Sequence, residues 1–178
     1  SQAKDSSGPQ LDMFAIAEEV KKEEEDASRD PLGKYIVADN SSSRTELLNR
    51  MKSAERFGLH VITSGFNPMV DELLGFAICL EEGKATYVTI ENGVLEEFES
   101  VLCDPSKRIV ATNYKFAAKV FAMSGLKLSK NIYDCMIAHY LIDPDSTHRL
   151  EQMVMTFVGL SPRSLEKIIG KGRTLKSF

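Results

Sequence analysis

The chain has 178 residues, 43% hydrophobic and 27% charged, with a formal net charge of −4. That balance is ordinary for a globular domain carrying a tail, and no apolar run reaches the roughly 18 residues that a membrane-spanning helix requires. No apolar, small-residue leader is visible, three widely spaced cysteines (Cys79, Cys103, Cys135) argue for buried thiols in a reducing compartment rather than a disulfide framework or zinc knuckle, and the weak net charge supplies no global field toward nucleic acid.

The charge is concentrated at the front. Residues 1–30 hold nine acidic and four basic side chains, whereas the remaining 148 hold 17 and 18. The densest stretch, residues 18–26, cannot bury much surface, so residues 1–33 are predicted to be an acidic flexible linker, with one domain over 34–178. Within that linker, Gln10-Leu11-Asp12-Met13-Phe14 concentrates three large apolar side chains. A docking peptide and a segment that packs back on its own domain are both compatible with it.

Asn40-Ser41-Ser42-Ser43 marks a helix start, and Leu47, Leu48, Met51 and Ala54 recur on one face, which predicts a helix over 44–57. Three β-type runs follow at 59–63, 73–80 and 85–90, the last two joined by a hairpin-length connection containing Gly83. An amphipathic helix is predicted over 94–102, ended by Asp104-Pro105, and a fully buried strand over 108–112. From Tyr114 the pattern turns helical. Phe116, Val120, Phe121 and Met123 form an apolar face ending at Ser124-Gly125, followed by helices over 132–142 and 150–158 and a fourth opened by Ser161-Pro162. This order suggests a mixed sheet covered by helices.

The ordered set Leu74-Gly75-Phe76-Ala77, Gly83, Ala85, Tyr87-Val88, Asn113-Tyr114-Lys115-Phe116 and Gly125-Leu126 resembles the 3′–5′ exonuclease domain of bacterial DNA polymerase I. Tyr133-Asp134-Cys135-Met136, Tyr140-Leu141, His148, Leu150 and Ile169-Gly170-Lys171-Gly172 extend the resemblance over about residues 35–178. It implies an α/β, ribonuclease H-like (DEDD exonuclease-like) mixed β-sheet flanked by helices. The front linker is also similar to the tether that precedes this domain in some of these polymerases.

Exonucleases of this kind use two divalent metals about 4 Å apart, held by carboxylates. The resemblance places the first two acidic positions at Thr63 and Gly65, and a third at Ala117 in the run Asn113-Tyr114-Lys115-Phe116-Ala117. None is acidic. The last motif is expected beyond Phe178, and a single remaining aspartate could not hold two dications. Asp71 and Glu72 are the only nearby substitutes, in a loop where solvent-facing acids are ordinary. Asp134 is expected to cap the helix that follows it rather than bind metal.

Other chemistries are less well supported. His60, His139 and His148 lack zinc spacing, and Cys135 with His139 reads as a buried thiol beside a surface histidine. Gly170-Lys171-Gly172 lacks the length of a phosphate loop. With Lys167, Arg173 and Lys176 it forms a small basic patch.

The expectation is therefore a vestigial exonuclease domain, without metal or cofactor of its own, serving as a scaffold in a DNA polymerase I that replicates and repairs DNA. The resemblance implies Mg²⁺ for the parent polymerase domain, intramolecular packing against that domain, DNA reached through the parent, no membrane, and a cytoplasmic, nucleoid-associated location in a bacterium. Asn113, Lys115, Lys171 and Arg173 are the candidate DNA-contacting residues. Two alternatives stay open: an active nuclease with displaced ligands at Asp71 and Glu72, and an interaction module built on a nuclease-like fold.

Overall fold

The computed structural model describes residues 34–162. Six strands form one mixed sheet in the order β1-β4-β3-β2-β5-β6. They are β1 (Lys34–Val37), β2 (Arg56–Thr63), β3 (Leu73–Glu81), β4 (Lys84–Thr89), β5 (Arg108–Ala111) and β6 (Ile132–Asp134). The helices are α1 (Ser41–Ser53), α2 (Val94–Leu102), α3 (Tyr114–Met123), α4 (Cys135–Ile142) and α5 (Leu150–Val158). Strands β2, β3 and β4 are antiparallel neighbours, while β2-β5-β6 and β1-β4 run parallel. This is the helix-flanked mixed sheet expected from the sequence.

One face of the sheet holds the core. Alternation along the strands puts Phe57 and Leu59 of β2, Phe76 and Ile78 of β3, Val88 of β4, and Ile109 and Ala111 of β5 on that side. Leu47 and Met51 of α1, Phe98 and Leu102 of α2, and Val120 and Phe121 of α3 close over them. Phe76 is the hub: its ring meets Phe98 edge-on at 5.2 Å and Phe121 at 5.8 Å. Arg44 grips Glu97 through two hydrogen bonds of 3.0 and 3.1 Å, tying α1 to α2. Lys107 donates to the carbonyls of Lys52 and Ala54, satisfying acceptors that the end of α1 leaves open.

Several expectations change at their edges. The first helix begins at Ser41 under an Asn40–Ser43 capping box and stops at Ser53, so Arg56 and Phe57 belong to β2. Strand β1 has no counterpart among the predicted elements. It is a four-residue edge strand whose Tyr35, Ile36 and Val37 stay exposed, giving no period to read. The helix over 132–142 is two elements, a three-residue strand and α4 from Cys135. Strand β5 is not buried throughout, since Arg108 is exposed and Val110 half-buried. Met123 faces solvent, and the cysteines are half-buried. Linker residues 1–33, the helix opened at Ser161-Pro162 and the basic patch with Lys171 and Arg173 lie outside the described residues.

The second face of the sheet carries small and polar groups: Gly58, His60, Gly75, Ala77 and Cys79. Tyr87 of β4 lies over Gly75, its hydroxyl where a Cβ would stand, and loss of solvent raises the phenol's pKa. Desolvation lowers the pKa of His60 below the ordinary histidine value, partly opposed by the charge of Glu151 at the start of α5.

Asp134 ends β6 and joins two helices. Its carboxylate accepts the backbone N–H groups of Asn113 (3.1 Å) and Tyr114 (2.7 Å) at the start of α3, and of Met136 (2.9 Å) and Ile137 (3.4 Å) in α4. Replacing it leaves four donors without their anion. We expect Asp134→Ala to lose about 3 kcal/mol of stability in urea melts, and Asp134→Asn less. An unchanged midpoint in D134A would show that the bridge holds nothing.

For His60, the folded value lies below the unfolded one, so the unfolded chain takes up the proton first. The contribution is intact above the ordinary range near about 6.5 and is lost as pH falls through it toward the depressed folded value. In His60→Gln, the fall of Tm on acidification over that window should be shallower than in the native chain.

Candidate functional site

Strands β2, β5 and β6 are mutually parallel, so their carboxyl ends share one end of the sheet. Thr63 to Gly65, Asn113 to Ala117, and Asp134 follow or close those strands and gather there. Open α/β sheets place ligands outside the carboxyl ends of their strands, which makes this the candidate site.

None of the three positions aligned with family carboxylates is able to ligate a cation with charge. Thr63 closes β2 beside a bulge in the β2–β3 pairing, and its hydroxyl donates to the carbonyl of Gly65 at 2.6 Å. Gly65 has no side chain to offer. Ala117 lies in the first turns of α3, 3% exposed and part of the core.

The volume beside Gly65 is already filled. A Cβ there would stand 2.6 Å from Asp71 Oδ2 and 2.8 Å from its Cγ and Oδ1. Asp71 is half-buried and folds inward, which corrects the expectation of a solvent-facing loop acid; Glu72 is exposed. The Asp71 carboxylate accepts the N–H of Asn67 at 2.6 Å, while the Asp71 N–H donates to the Asn67 carbonyl at 2.8 Å. Ser64 and Glu72 close the base of the same loop, Ser64 N–H on the Glu72 carbonyl and Glu72 N–H on Ser64 Oγ, both at 3.0 Å. The loop thus spends its polar groups on itself and turns Phe66, Met69 and Val70 outward.

Across from it, Asn113 is the one non-glycine residue with positive φ among the described residues, at φ 59° and ψ 58°. Asparagine tolerates this left-handed backbone better than most residues. The turn aims the N–H groups of Asn113 and Tyr114 at Asp134, and Asn113 Oδ1 caps Phe116 N–H at 3.3 Å. Lys115 stands exposed on the first turn, with no ion pair or hydrogen bond among the described residues. Tyr114 reaches the Ser129 carbonyl at 2.5 Å, and burial raises its pKa.

The structure therefore gathers Thr63, Gly65, Asn113, Lys115 and Ala117 at one end of the sheet, and it sets Asp71, named from the sequence with Glu72, against Gly65 in a way that sequence spacing does not reveal. Asp134 caps α4 as expected and serves α3 as well. Cys135 and His139 do not form a reactive pair. Desolvation, helped by the charge of Asp134, raises the pKa of the Cys135 thiol, and His139 is buried rather than on the surface. Thr63, Gly65 and Ala117 offer a cation no charged oxygen. Among the described residues, no three His, Cys, Asp or Glu side chains are grouped to hold one.

A test follows from Asp71. Gly65→Ala should destabilise the chain by about 1–2 kcal/mol by displacing the carboxylate from Asn67, and should be nearly neutral in an Asp71→Ala background. Additive effects in urea melts would refute the shared volume.

Residues 35–177 match the family model described as 3′–5′ exonuclease. DNA polymerase I of Borreliella burgdorferi is 26% identical over 147 residues, covering 78% of this chain and 16% of that protein. The chain thus spans about a sixth of the length of the curated relatives it matches. The POL domain of Pol1 from M. smegmatis, in complex with DNA primer-template and dNTP, superposes with a TM-score of 0.63 at 18% identity, over 80% of this chain and 25% of that one. Escherichia coli RNase D, an exoribonuclease, gives 0.61 at 14% identity, over 75% and 36%. These likenesses agree with a ribonuclease H-like fold, and the chain belongs to the 3′–5′ exonuclease family as it occurs in DNA polymerase I.

Proposed function

We propose that this is a vestigial exonuclease domain without hydrolytic activity, kept as a scaffold in a DNA polymerase I that replicates and repairs DNA. The observation that carries the reading is the chemistry at the carboxyl ends of β2 and β5. A hydroxyl turned onto its own loop, a glycine and a buried methyl stand where two cations would need charged oxygens.

The scaffold role draws support from the outer surface. In α4 the one buried residue is His139, whereas Ile137, Tyr140, Leu141 and Ile142 are exposed. Met155, Phe157 and Val158 of α5 are exposed too. An apolar surface of this kind suits intramolecular packing on a polymerase domain. Asn113 and Lys115 are candidates for weak DNA contact, and Lys171 and Arg173, outside the described residues, for the same. Any Mg²⁺ requirement belongs to the parent's polymerase domain, and the setting is cytoplasmic and nucleoid-associated.

The inward carboxylate of Asp71 is the one feature that favours a second reading, a nuclease with displaced ligands. The two separate on a 5′-labelled single-stranded DNA incubated with the protein and Mg²⁺ or Mn²⁺. We expect no shortening above the protein-free control and no two-site Mn²⁺ binding by calorimetry. Stepwise loss of 3′ nucleotides, abolished by Asp71→Asn, would establish the second reading instead.

A further inference from the structure

Away from the sheet end, His139 of α4 and His148 of the connection to α5 face each other with their Nδ1 atoms 2.8 Å apart. A hydrogen bond between two ring nitrogens needs one N–H and one bare nitrogen. Ser146 Oγ donates to the Asp143 carbonyl at 3.2 Å and lies 3.5 Å from His139 Nε2. With that hydroxyl proton committed, the assignment that satisfies both ring contacts has neutral His139 protonated at Nε2 and bare at Nδ1, with His148 donating from Nδ1.

We propose that His139 and His148 form a proton-operated clip that fastens the 143–149 connection and α5 to α4. A proton added to His148 at Nε2 leaves the bond in place and gives it charge assistance. A proton added to His139 goes to Nδ1, where it sets two donors against each other and opens the clip. His139 is buried at 8% exposure, so its ring has little room to turn away while the clip is shut.

The surroundings fit this role. Phe157 of α5 packs edge-on to His139 at 5.4 Å, and Tyr140 edge-on to His148 at 5.3 Å, so the pair links all three segments. Met153 is the one buried residue of α5, which leaves that helix few other ties. Helix α4 carries no charged side chain besides His139; its other titratable groups are Cys135 and Tyr140. The connection contributes Asp143, Asp145 and Arg149, and α5 contributes Glu151, which acts on His60 of the sheet. None of these acids or bases forms an ion pair or a side-chain hydrogen bond with either imidazole. The clip's state depends on its own protons and governs whether α5 stays docked. This inference is independent of the loss of nuclease chemistry proposed above.

Long-range ¹H–¹⁵N imidazole spectra of the ¹⁵N-labelled 178-residue chain test it directly. At pH 8 we expect the Nε2–H tautomer for His139 and the less common Nδ1–H tautomer for His148. Hydrogen exchange of the α5 amides should quicken roughly tenfold in His148→Leu, the scale of one lost hydrogen bond. It should stay near the native rate in His148→Asn, whose amide can still donate. On acidification, the protection of the α5 amides relative to their intrinsic exchange rates should fall in step with the appearance of His139 Nδ1–H in the native chain and not in H148L. Matching Nε2–H tautomers on both rings, or equal acceleration in H148L and H148N, would overturn the clip.

Discussion

The carboxylate of Asp134 is the point on which the functional end of this domain is built. A helix start leaves N–H groups with no partner, and here two helix starts, α3 and α4, share one anion. The shared anion fixes the left-handed turn at Asn113. That turn sets the direction in which α3 leaves β5, and with it the depth of Ala117 in the core. An alternative acceptor would have to reach both helices from the end of β6, and no other described side chain does. The three residues of β6 bring Asp134 into register with Ala111 at the end of β5.

This arrangement separates scaffold from chemistry. The core depends on Phe76 between Phe98 and Phe121, on the Arg44–Glu97 pair and on the Lys107 cap, none of which lies at the carboxyl ends of β2 and β5. Thr63 and Gly65 lie outside that core, and Ala117 fits within it as a methyl. The family's fold therefore persists although Thr63, Gly65 and Ala117 supply no charge. The loop between β2 and β3 is a closed hydrogen-bonded unit in the same place.

Elements with a clear period were legible in the sequence. The 3.6-residue stripe of α2 gave its bounds as observed, and the two-residue Glu82–Gly83 turn with Gly83 at φ 72° joins β3 to β4 as expected. The short edge strands were not legible. β1 and β6 have four and three residues, too few for alternation to show, and Ile132-Tyr133-Asp134 runs straight into a helix whose start is marked only by Asp134. The non-acidic identity of the three aligned positions could be read directly, since it is a matter of residue type. The inward turn of Asp71 and the burial of His139 could not. Both depend on a neighbour, Gly65 or His148, brought close by loop geometry.

Asp71 also bears on how reversible such a loss is. On the reading proposed here, restoring acids at Thr63, Gly65 and Ala117 would not by itself rebuild a cation pair. A side chain at Gly65 meets the Asp71 carboxylate at its first carbon, and moving that carboxylate costs the Asn67 N–H its acceptor. At Ala117 a carboxylate would have to open the core for lack of space, and burying it unpaired is costly. Each restoration requires a second change that is unfavourable while the first is absent. On that reading, packing of this kind makes the return of a cation pair a concerted event rather than the sum of single substitutions.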